Sequence, residues 1–104
     1  MDFSADELLQ ELARFDLTMA LVTGHAGQGP DPTIDRLLSA HLRVLQAMLD
    51  EDGGMAAADA IDAARRAMEA ADPGAPLLML SMACKALESK IRRRAAQASG
   101  LRAA

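Results

Sequence analysis

Apolar side chains recur along the chain in steps of three and four, the period that lines one face of an α-helix. They do so in four separate stretches. In the first, Leu8, Leu12, Phe15, Met19 and Val22 form a single stripe. Ser4 and Glu7 precede it at the spacing of a capping box, and Phe3 and Leu8 at that of a hydrophobic staple. The pattern predicts a helix over 5–23, with Gly24 as its C-cap. Residues 24–31 carry three glycines and a proline and read as a flexible connector.

Asp31 and Pro32 are an N-cap and a first helical residue, where the missing N–H of proline costs nothing. The second stripe, Ile34, Leu38, His41, Leu45 and Met48, predicts a helix over 32–50, with Asp50 to Gly54 closing it. A third helix over 55–71 carries Ala57, Ile61, Ala64, Met68 and Ala71, a thin face that must pack closely on a neighbour or lie partly exposed. Asp72-Pro73-Gly74-Ala75-Pro76 breaks the chain. The last helix, over 76–99, has Leu77, Leu80, Cys84, Leu87 and Ile91 on one stripe. Its first two turns are apolar on nearly every side, a pattern that calls for burial on all sides. Short loops between the helices predict two hairpins, packed as a four-helix array or completed as a dimeric bundle.

Composition strengthens the all-α class. Apolar residues make up 51% of the 104, but aromatics only 2%, with no Tyr or Trp. Ala, Leu and Met head the helix scale, whereas sheets are built largely from β-branched and aromatic side chains. The length suits one domain. An aromatic-poor core in so short a chain is readily completed by a second copy, so a homodimer or larger homo-oligomer is expected. The longest apolar run, Ala75 to Leu80, is too short for a bilayer, and the acidic N-terminus is not a secretory signal; a cytoplasmic location is expected.

Charge is unevenly placed. Residues 1–72 carry 14 acids and 5 bases, and residues 73–104 carry 6 bases and Glu88. The dense cluster of Lys90, Arg92, Arg93 and Arg94 could meet phosphates. It spreads around the whole helix, however, and has no aromatic neighbour to stack on bases, so nucleic acid is a minor alternative. Basic residues also suit a helix C-terminus without any ligand.

His41 lies within the apolar arc of its helix, where an imidazole needs a partner. It is a satisfied core residue or, as an alternative, a ligand, metal or haem contact, or a pH-sensitive switch. Bundle metal sites recruit Glu-x-x-His pairs, and there is none here. Cys84, alone and on the apolar stripe, reads as a small buried hydrophobe. Histidine phosphotransfer domains share this size and class. Neither His41-Leu42-Arg43-Val44 nor His25-Ala26-Gly27-Gln28, however, has the Lys and Gly that follow their phosphorylated histidine.

No catalytic residue, metal or cofactor is therefore expected. The expected function is non-enzymatic protein–protein contact by a regulator, adaptor or chaperone. Leu78, Met79 and Met82 form its adaptable apolar patch, and Arg92, Arg93 and Arg94 its steering rim.

Overall fold

The computed structural model describes residues 4–103, with side chains over 4–100. Four helices follow one another: α1 (Ala5–Gly24), α2 (Pro32–Met48), α3 (Glu51–Glu69) and α4 (Gly74–Ala103). The all-α class and the four-helix array are as expected. The Phe3 staple lies outside the described residues.

Local signals act where the sequence places them. Ser4 Oγ accepts from the Glu7 N–H at 3.1 Å, and Asp31 Oδ1 accepts from the Ile34 N–H at 2.9 Å with Pro32 opening α2. Several boundaries differ from expectation. Gly24 is the last residue of α1 rather than its cap, a role taken by His25. More substantially, Asp50 to Gly54 do not close the second helix. Asp50 caps α3, its Oδ1 accepting from the Gly53 N–H at 2.7 Å, and Glu51 and Asp52 occupy a first turn whose dipole favours them. Gly53 and Gly54 thus lie inside α3 and are buried. The turn from α2 is so tight that a Cβ on Gly53 would come within 2.8 Å of Leu49 Cβ. At the far end α4 runs past the expected range of 76–99 and continues to Ala103.

Cross-helix bonds fix the arrangement as up-down-up-down. Arg65 of α3 reaches Asp35 and Ser39 of α2, and Lys90 of α4 reaches Asp52 of α3. Each helix is thus antiparallel to the next, and α4 returns beside α1. Among the described residues α2 and α4 stand apart, while α1 and α3 meet across the short diagonal. The alanines of α3 make that possible. Ala56, Ala57, Ala60, Ala64 and Ala67 are all buried, so the helix with the thinnest stripe is the most enclosed. Phe15, Leu38, Leu45, Ile61, Met68, Leu87 and Ile91 fill the remaining core.

The glycine-rich loop is tied down rather than free. Gly27 and Gly29, both with positive φ, donate their N–H groups to the carbonyls of Ala67 and Met68 at 3.0 and 2.8 Å. They thereby satisfy the otherwise open C-terminus of α3. No helix among the described residues is long and apolar enough to cross a membrane.

Candidate functional site: a buried polar relay and an exposed apolar face

His41 finds its partners on α1. Its Nδ1 lies 2.6 Å from Glu11 Oε2, and its Nε2 lies 2.8 Å from Thr18 Oγ1. All three residues are buried, and the imidazole and the Phe15 ring meet edge to face at a centroid distance of 5.8 Å. Arg14 Nε donates to the other Glu11 oxygen at 3.3 Å, and the Arg14 carbonyl lies 3.3 Å from Thr18 Oγ1.

This arrangement is satisfied in both protonation states. A neutral imidazole donates from Nδ1 to Glu11 and accepts from the Thr18 hydroxyl at Nε2. A charged one donates at both nitrogens, and the hydroxyl turns to the Arg14 carbonyl. The order hydroxyl, imidazole, carboxylate is that of a nucleophile relay. Yet Thr18 is only 4% exposed, which leaves its oxygen closed to any substrate. The relay joins two helices, and with both ring nitrogens engaged His41 stands as a satisfied core residue. Sequence reasoning missed Glu11 and Thr18. They flank Phe15 at steps of four and three, so the spacing carried the signal.

The α4 residues separate by face. Leu80, Leu87, Ile91 and Ala95 are buried, with Leu77 and Cys84 half-buried. Burial and the nearby Asp16 carboxylate push the Cys84 thiol up to about 11, so it stays protonated near neutral pH. Burial, with Glu88 close by, raises the Asp16 carboxyl above its usual value against the pull of Arg92.

Leu78, Met79 and Met82 all point outward, at 65, 58 and 65% exposure. One copy of the chain therefore buries a single stripe of the turns whose pattern called for burial on every side.

The arginines lie at the other end of the helix. Between Met82 and Arg93 there are 11 steps, or about 17 Å at 1.5 Å per residue, so the two groups do not touch. Nor do the arginines share one direction. Arg92 pairs with Glu88 at 2.8 Å. Arg93 and Arg94, with Lys90, line a hollow of about 150 Å³ over the first turn of α3. There Lys90 binds Asp52 and, with Arg93, holds its carboxyl below the usual range. Much of the basic end thus answers the acids of its own fold.

Among the described residues no three His, Cys, Asp or Glu side chains converge as a metal site. The chain matches no family model, no curated protein and no solved structure.

Proposed function

We propose that this chain is a non-enzymatic interaction protein, a small regulator, adaptor or chaperone that works through protein–protein contact and self-association. The observation that carries the reading is the outward aim of Leu78, Met79 and Met82 on a helix whose opposite stripe packs into the core. Three large flexible side chains on neighbouring turns form an apolar patch, a feature that marks contact surfaces. The thioethers of the two methionines let such a surface adapt to its partner. The arginines beyond them act as a distal rim that tunes the rate of encounter.

The relay supports this reading in one respect. Both nitrogens of His41 are taken within the fold, so this histidine offers no free position to a ligand.

The test is the double variant Met79→Asp with Met82→Asp, followed by circular dichroism and light scattering. Both positions are exposed, so helicity should persist while self-association or partner binding disappears. A variant that unfolds would make these residues core and remove the reading. One that folds and associates like the parent would remove it equally.

A further inference from the structure

The α4 patch borders a longer depression between α3 and α4. Two hollows of about 250 Å³ each run end to end along it, sharing Asp59 and Ala83. Alanines form its floor, and Met55 and Met79 stand beside it, both more than half exposed. On α4 it runs from Pro76 to Lys90, about 21 Å of helix or four turns. An alanine floor admits another helix closely, and a groove of this shape takes the apolar face of an amphipathic helix. Most charges along it are already paired, Asp52 with Lys90 and Asp62 with Arg66. Asp59, at the point the two hollows share, is exposed and makes no ion pair among the described residues.

The opposite side of the bundle carries a stripe of matching length. Thr33, Leu37, Ala40, Val44 and Ala47 recur along α2 in steps of four and three, and all are exposed. Asp35 and Ser39 face α3 through Arg65, and His41 faces α1. At 100° per residue the stripe lies beyond His41 on the side away from Asp35, facing outward over the α1–α2 hairpin. Leu21, one step further round α1 than Thr18 and 52% exposed, adds to the same side. From Thr33 to Ala47 the stripe also covers about 21 Å. Arg36 and Arg43 flank it, exposed and without ion pairs among the described residues.

The geometry points to a second copy of this chain as the occupant of the groove: the α2 stripe of one molecule lies between α3 and α4 of the next. Arg36 or Arg43 of the first then meets Asp59 of the second. Pairing groove with groove would instead set two Asp59 carboxylates against each other, with no free cation between them. Because the two surfaces lie on opposite faces, the contact is heterologous and repeats from copy to copy, as an open filament or a closed ring. The inference rests on the proposal that the α4 face is a contact surface, and it names the partner.

Two variants test it by light scattering on a sizing column, with circular dichroism as the control for folding. Ala40→Glu with Ala47→Glu spoils the stripe, and Met79→Glu with Ala86→Glu spoils the groove. All four positions are exposed and the new residue is a good helix former. The parent should grow beyond a dimer as concentration rises, while each variant alone stays monomeric. An equimolar mixture should form a 1:1 dimer, since the intact groove of one accepts the intact stripe of the other. Asp59→Arg, at an exposed position outside the core, should weaken assembly about tenfold or more, as loss of a close charge pair does.

A parent that is monomeric at every concentration overturns the inference, and so does a mixture that stays monomeric. If only the groove variant loses assembly, the α4 face remains a contact surface and the α2 occupant is wrong. If the groove variant assembles like the parent, both readings fall.

Discussion

His41 shows how a polar residue is accommodated where the helix pattern demands an apolar one. Its two nitrogens are taken by Glu11 and Thr18, and the Glu11 carboxylate is almost wholly withdrawn from water. Removing one partner leaves a buried polar group unanswered, which costs far more than the bond itself contributes. Glu11→Leu should therefore destabilise the fold by about 3 kcal/mol in urea denaturation. The double variant Glu11→Leu with His41→Leu should recover most of that loss, because nothing buried is then left unpaired. Additive single losses would mean that the two residues do not act as a unit. The position of His41 in its stripe was visible in the sequence, and so was the spacing of Glu11 and Thr18 around Phe15. Which helix would face which was not, because periodicity fixes the face of a helix but says nothing of its neighbour.

The same division holds for whole elements. Stripes and caps located the starts of α1 and α2 to the residue, because Ser4 and Asp31 act on backbone groups three positions away. The start of α3 was misplaced by four residues. Two adjacent glycines ordinarily signal a break, but here both lie inside a helix, and the close approach of the α2 end requires the first of them. Their roles differ. At Gly53 a Cβ would meet Leu49 Cβ at 2.8 Å, whereas at Gly54 the nearest atom, Gln46 Cγ, would lie at an ordinary 3.6 Å. Gly53→Ala should thus destabilise by about 1–3 kcal/mol through overpacking. Gly54→Ala should stabilise by about 0.5–1 kcal/mol, since alanine gives up less backbone freedom on entering a helix. Thermal melts of the two variants should move in opposite directions. A shared direction would mean that the α2–α3 turn relaxes as one unit. The loop over 24–31 was likewise read as a connector, because its tethers to Ala67 and Met68 join residues far apart in sequence.

At the scale of the molecule, the aromatic-poor composition and the apolar start of α4 both implied a fold short of buried surface, and several large apolar side chains of that start lie exposed. One copy encloses a core made narrow by alanine and leaves Leu78, Met79 and Met82 outside it. A chain of this size has little stability to spare. If copies associate through the α4 face, folding and assembly are linked, because a partner that binds only the folded state stabilises it in proportion to the logarithm of its concentration. The thermal midpoint of the parent should then rise steadily with protein concentration, and for a domain of about 100 residues each added 1 kcal/mol is worth roughly 4–8 °C. The Met79→Asp, Met82→Asp variant should melt at one temperature whatever its concentration, and the parent should approach that temperature on dilution. A parent midpoint independent of concentration would mean that the alanine-packed core suffices alone, leaving the exposed α4 face free for a protein other than itself.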